Sequence, residues 1–216
     1  LTPIPLVKLK GIRISQGSLK GRVIPLPADV HGHNAATPGV VKEAVFQIIS
    51  NASPRFSRNV FFDLYSGSGQ MGMEALSRGF HHVWFLEPEK KRFLQIREIL
   101  GSLPGEKNSG LLKTKAVEFL SRFPENAPRE ITGDKTLVFF ADPPYSFAEK
   151  NPEHYAQLMD GLLAITSALP AQPALMILQI PYKKKEYAGA AEFLAGFDGK
   201  IYSYGKNALA VKISTG

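Results

Sequence analysis

Apolar residues fall along this chain in two rhythms. After residue 58 they come in short, nearly unbroken runs: "VFFDLY", "VWFLE", "TLVFFA" and "ALMILQI". A strand with one wet face alternates polar and apolar residues, whereas a strand covered on both faces does not. These runs therefore predict a parallel sheet sandwiched between helices. The segments between them have helical spacing over about 70–78, closed by Arg78-Gly79, about 89–100, about 116–122, and about 151–168, opened by Asn151-Pro152. A weaker strand, "GLLKT", falls at 110–114, and "KIYSYG" with "NALAVKI" reads as a closing antiparallel hairpin. Alternating strands and helices predict an α/β, Rossmann-like fold: a mostly parallel, doubly wound sheet with an antiparallel C-terminal hairpin.

The first 58 residues have a different rhythm. "IRIS" at 12–15 and "KGRVIPL" at about 20–26 predict two short strands joined through Gly17. A helix is expected over about 38–50, with Thr37 as its cap, Pro38 at its first position and Val41, Ala44, Val45, Ile48 and Ile49 as its apolar stripe. We expect residues 1–58 to form a basic extension packed on a main domain of residues 59–216, the two making one structural unit.

Charge strengthens that division. The chain carries +7. Residues 1–58 hold eight basic groups (Lys8, Lys10, Arg13, Lys20, Arg22, Lys42, Arg55, Arg58) against Asp29 and Glu43, a net of +6. A basic quarter on a nearly neutral body points to a polyanion partner, with Arg13, Lys20, Arg22 and Lys42 as candidate phosphate contacts. The run Lys183-Lys184-Lys185 reads as a solvated face. With no cysteine, disulfides, thiolate metal sites and a cysteine nucleophile are excluded. His31, His33, His81, His82 and His154 show no zinc spacing, so no metal is expected. No apolar run is long enough for a membrane span, and "LTPIPLVKLK" lacks the apolar core of a secretory signal.

Candidate chemistry should follow the strands, because ligands of doubly wound sheets sit beyond the strands' carboxyl ends. After "VFFDLY" comes Gly67-Ser68-Gly69-Gln70-Met71-Gly72, a G-x-G-x-x-G turn whose glycines admit a ligand close to the backbone. Glu87 ends the next strand 20 residues after Gly67, where an acid binds ribose hydroxyls. Asp63, just upstream, would oppose a pyrophosphate and suits a cofactor with a cationic amino-acid end. After "TLVFFA" comes Asp142-Pro143-Pro144-Tyr145. Two prolines stiffen this loop and remove two donors, which leaves carbonyls and a carboxylate as acceptors for an amino group, with Tyr145 as a face for a base.

Together the glycine turn and "DPPY" resemble the S-adenosylmethionine-dependent methyltransferases that modify exocyclic amines of nucleobases, and more closely the RsmD type, the 16S ribosomal RNA guanine-N2 methyltransferases. The likeness covers most of residues 11–145, with "GIRISQGSLKGRVIPLP" and "GSGQMGMEALSRG" as its specific stretches, and also the closing "YGKNALAV". It implies a class I methyltransferase fold and S-adenosylmethionine as cofactor. Asp63, Tyr65, Ser66, Gly67, Ser68 and Gly69 would line the cofactor's amino-acid end, Glu87 would hold its ribose, and Pro88 and Ala116 would stand beside it. It also implies Asp142, Pro143, Pro144 and Tyr145 at the target amine, ribosomal RNA or the small ribosomal subunit as partner, and a cytoplasmic monomer. The chain departs from the family pattern at Ala35-Ala36-Thr37-Pro38-Gly39-Val40, where two arginines are missing, and at Lys115, where the family puts Asn or Asp. The residues alone leave other readings open: an NAD-dependent oxidoreductase, an adenine-N6 methyltransferase, or a non-catalytic relative that binds RNA.

Overall fold

The computed structural model describes residues 11–25, 37–103, 106–151, 153–182 and 188–215. The Lys183–Lys185 run, Lys8, Lys10, Asp29, His31, His33, Ala35 and Ala36 lie outside the described residues. In chain order the elements are β1 (Gly11–Arg13), β2 (Val23–Pro25), α1 (Gly39–Ala52), β3 (Asn59–Asp63), α2 (Gln70–Ser77), β4 (His82–Leu86), α3 (Lys90–Gly101) and β5 (Ser109–Leu112). Then come α4 (Ala116–Arg122), β6 (Thr136–Ala141), α5 (Tyr145–Lys150), α6 (His154–Ala168), β7 (Ala174–Pro181), α7 (Ala188–Ala195), β8 (Lys200–Tyr204) and β9 (Asn207–Ser214).

Seven strands form one sheet in the order β5-β4-β3-β6-β7-β9-β8. Strands β3 to β7 run parallel, and β9 is antiparallel to both β7 and β8. Strand order reverses between β3 and β6, so the crevice for a ligand opens beyond Asp63 and Ala141.

The unbroken apolar runs are explained by two cores, one on each face of the sheet. Phe61, Val138, Phe140, Leu175 and Ile177 pack against Val45, Phe46 and Ile49 of α1 and Met73 of α2. The alternate residues Phe62, Leu137, Phe139, Met176, Leu178 and Ile180 pack against Leu120 of α4 and Leu158, Leu162 and Ile165 of α6. Adjacent phenylalanines in β3 thus serve opposite faces, as the two-residue period of a strand requires. Full burial of each such ring contributes about 1.5–3 kcal/mol.

The short β1–β2 hairpin joins the first core through Ile14, Leu19 and Ile24. Three local expectations change. Pro38, rather than Thr37, occupies the cap of α1, and Thr37 turns its hydroxyl to Asp142. Helix α6 begins at His154, because a separate short helix, α5, starts at Tyr145 directly after the prolines. Helix α7, with a polar-poor sequence and no periodic stripe, has no counterpart among the elements the apolar pattern predicts.

Candidate active site

The glycine turn leaves the carboxyl end of β3 through two residues in left-handed conformations, Gly67 (φ 54°) and Gly69 (φ 80°), the latter capping α2. Side chains rarely adopt such angles, so both positions require glycine. The third glycine serves packing instead. A Cβ on Gly72 would fall 2.1 Å from the Phe85 ring, so its absence lets α2 lie close on β4.

Acids support this turn from below. Asp63 accepts a hydrogen bond from the Gly72 amide (3.0 Å), which holds the first turn of α2 over the end of β3. Glu87 Oε2 accepts from the Gly67 amide (3.0 Å), and its Oε1 accepts from the Glu89 amide (2.8 Å). Ser66 ties the same strands by donating to the Asp63 carbonyl and accepting from the Leu86 amide, both at 3.0 Å. Among the described residues, Asp63 and Asp142 make no ion pair, and Glu87 has Arg92 at 3.7 Å. Burial pushes the Asp63 carboxyl up to about 7 against the pull of the Gly72 amide, and the negative charges of Asp142 and Glu87 add to the rise. Asp142 is also pushed up to about 7 by desolvation, against the hydrogen bond from Thr37 Oγ1 (3.3 Å). Burial likewise raises Glu87, against its two backbone bonds and the Arg92 charge.

Asp63, Asp142 and Gln179 lie at the carboxyl ends of neighbouring strands. Asp63 pairs in register with Phe140, and Ala141 with Leu178, so Asp142 and Gln179 are the next positions along β6 and β7. Tyr145 is tethered there: its hydroxyl donates to Asn207 Oδ1 (2.5 Å) and accepts from Gln179 Nε2 (3.2 Å). Behind the glycine turn, the Tyr65 hydroxyl is hydrogen-bonded to His154 Nε2, and the Phe147 ring meets the His154 ring edge-on at 4.8 Å. Burial raises the Tyr65 phenol and lowers the His154 imidazole, so both groups favour their neutral forms. The half-buried Ser68, the exposed Pro88 and the buried Ala116, which opens α4 after β5, complete the rim at the carboxyl ends of β3, β4 and β5. Thr37, His154 and Gln179 join the site from outside the glycine turn and "DPPY", and Asn207 comes from the closing "YGKNALAV". Of the first three, Gln179 carries a signal, as the one polar residue in the run "ALMILQI".

The expected phosphate contacts fare differently. Lys42 is buried and its Nζ lies 3.0 Å from Glu74 Oε2, inside a network that includes Arg78, Glu43 and Ser15. It is a buried counter-charge and cannot grip a backbone phosphate. Arg13 and Lys20 stand at the surface, with Arg13 Nη1 donating to the Gly21 carbonyl (2.7 Å). Arg22 reaches Ser102, at the far end of α3 from Glu87. Twelve helical residues separate those ends by about 18 Å, so Arg22 stands away from the Glu87 side of the site. Among the described residues no group of three or more His, Asp or Glu is arranged to hold a metal ion, and no helix is long and apolar enough to cross a membrane.

The strand order, the antiparallel β9 and the switch-point crevice define the Rossmann-like fold of class I methyltransferases. The chain belongs to the family described as Conserved hypothetical protein 95, whose model matches residues 12–194. It is 33% identical to YlbH of Bacillus subtilis over 134 residues, 62% of this chain and 67% of that protein. It is 30% identical to Ribosomal RNA small subunit methyltransferase D of Haemophilus influenzae over 138 residues, 63% of this chain and 65% of that protein. The match thus spans about two thirds of the length of these curated relatives. The solved structure of yhhF from Escherichia coli superposes with a TM-score of 0.61 at 19% identity, covering 95% of this chain and 99% of the other.

Proposed function

We propose that the protein is an S-adenosylmethionine-dependent methyltransferase that modifies an exocyclic amine of ribosomal RNA, with guanine N2 of the small subunit as the target. The observation that carries this reading is the pair of desolvated carboxyls, Asp63 and Asp142, which have no ion pair among the described residues and stand at the switch point beside a glycine turn. A dinucleotide would bring phosphates towards Asp63 and Asp142, whereas S-adenosylmethionine brings a sulfonium and an ammonium. That chemistry fits this donor set. The family membership and the small-subunit relative support the RNA substrate.

When bound, S-adenosylmethionine supplies a methyl group already attached to a good leaving group. The chain itself provides alignment, which contributes about 7–11 kcal/mol in favourable cases. Gly67 and Gly69 let the ligand approach the backbone, Glu87 accepts from the ribose hydroxyls, and Asp63, Tyr65, Ser66 and Ser68 shape the amino-acid end, with Pro88 and Ala116 towards the base. The target base leaves its stack to reach this depth. Asp142 and the Pro143 carbonyl accept the two amine hydrogens and aim the nitrogen lone pair, Pro144 holds the loop stiff, and Tyr145 offers its ring. Asp142 or water takes the surplus proton. Arg13, Lys20 and Arg22 contact RNA phosphates, giving affinity without sequence readout.

Calorimetric titration with S-adenosylhomocysteine, with NAD as the paired control, tests the cofactor. Labelled methyl transfer to small subunits, followed by nucleoside analysis for N2-methylguanine, tests the substrate. Binding of NAD alone would overturn the class, and label recovered only on adenine would overturn the target.

A further inference from the structure

Gln179 is the odd member of β7. The whole strand is buried and apolar around it, and its own side chain is 2% exposed. A buried amide gives up water at both ends and needs partners at both. Gln179 has one: Nε2 donates to the Tyr145 hydroxyl at 3.2 Å, while Oε1 has no partner among the described residues. A leucine would fill the position without that cost, so packing does not account for the glutamine. Its contact does. The Tyr145 hydroxyl also donates to Asn207 Oδ1 at 2.5 Å, and Asn207 opens β9 opposite Pro181 of β7. Two strands therefore hold, by its tip, the ring that directly follows Asp142-Pro143-Pro144. Helix α5, six residues long, is too short to fix that ring unaided.

We propose that Gln179 and Asn207 are positioning residues for methyl transfer, tethering Tyr145 so that its ring sets the tilt of the target base beside Asp142. This rests on the methyltransferase reading above. The C-terminal hairpin thereby acquires a part in the reaction although neither residue touches the methyl donor.

Three variants test it: Gln179→Leu, Asn207→Ala and Tyr145→Phe, each measured for methyl transfer to small subunits, S-adenosylhomocysteine affinity and Tm. Loss of alignment lowers kcat by about 10- to 100-fold, with cofactor affinity unchanged. The Tm of Gln179→Leu stays level or rises, and the Gln179→Leu/Tyr145→Phe double variant is no slower than the slower single one. A merely structural role would give the reverse: a lower Tm and wild-type kcat in the folded fraction. Wild-type kcat in Gln179→Leu, or losses that multiply in the double variant, would overturn the proposal. A second readout needs no turnover. The Tyr145 hydroxyl proton, observed by NMR in protein with labelled tyrosine, should exchange slowly with water in the wild type and rapidly in Asn207→Ala. Rapid exchange in the wild type overturns the tether. Failure of the wild type to bind S-adenosylhomocysteine or transfer methyl would instead strike the functional reading.

Discussion

Glu74 lies within α2, and Asp63 accepts an amide from the same helix; their exposures are 0% and 1%. These two buried acids nevertheless titrate in opposite directions. Around Glu74 burial is outweighed by hydrogen bonds from the Ser15 hydroxyl and amide and by the Lys42 ammonium, which hold the carboxyl below its usual range. Arg78 adds a second cation at 3.2 Å and also reaches Glu43 at 2.9 Å. Around Asp63 no cation answers among the described residues, and the nearby charges of Asp142 and Glu87 push the same way as burial. The first cluster is complete in itself: it fastens the N-terminal hairpin and α1 to α2. The second carries a deficit of positive charge that a cationic ligand would make good. Burial of charge is thus shared by both regions, and what separates structure from site is whether the counter-charge comes from the chain.

The largest effect should come from the deficient cluster. Asp142→Ala is expected to cost about 10²–10⁴-fold in methyl transfer, the range for removing a positioned acceptor, with S-adenosylhomocysteine affinity within a factor of a few of wild type. Equal loss of both would dissolve the distinction between cofactor acids and the amine acceptor. Next comes the complete cluster. Glu74→Gln leaves Lys42 buried without its counter-charge, a change that costs about 3–5 kcal/mol, so thermal melts should fall by roughly 6–20 °C. Methyl transfer by the folded protein at 25 °C should persist. A melt unchanged from wild type would show that the hairpin is held by its apolar contacts alone.

Proton linkage separates the two clusters further. Asp63 has its folded value raised to about 7 from an ordinary 3.8, so between those values the native state holds a proton that the unfolded chain has lost. Stability therefore falls as pH rises through that window, and Asp63→Asn should flatten the Tm profile across it in part, Asp142 titrating over the same range. Glu74, lowered in the fold, contributes stability that is present above its unfolded value and lost as pH falls below it. Ligand binding gives the sharper version. A sulfonium near Asp63 and Asp142 favours their ionised forms, so binding below about pH 7 should release protons. Affinity for S-adenosylmethionine should then rise by up to about tenfold per pH unit for each proton released, and level off at higher pH. Calorimetry in buffers of different ionisation enthalpy measures that release, and an affinity independent of pH would contradict the charge deficit.

How far the sequence discloses these two regions depends on how local each is. The sheet was legible because Phe61 and Phe62, or Phe139 and Phe140, stand side by side, which only a strand covered on both faces explains. The turn was legible because Gly67, Gly69 and Gly72 act within six residues. Lys42 was not: its partner Glu74 is 32 positions away, and an amphipathic helix gives no sign that one of its cations faces inward. Thr37 looked like a helix cap because the cap preference is local, whereas its bond to Asp142 spans 105 positions. Helix α5 was hidden by the prolines before it, which read as a loop continuing to Asn151.

The smallest expected effect concerns a pair that belongs to neither cluster by charge. Tyr65 stands just before the glycine turn and its hydroxyl meets His154, whose ring in turn receives Phe147 from the helix after the prolines. Tyr65→Phe removes the hydroxyl and keeps the ring, leaving His154 Nε2 without this partner. A net hydrogen bond is worth about 1 kcal/mol, so S-adenosylhomocysteine affinity should weaken by about fivefold while Tm moves little. If Tyr65 orders the turn for its ligand, His154→Phe should weaken affinity by a similar factor, and the two changes together should cost no more than one. A Tm loss in both variants with cofactor affinity intact would instead place the pair with Glu74 and Lys42, as a fastening of α6 to β3 that the ligand never feels.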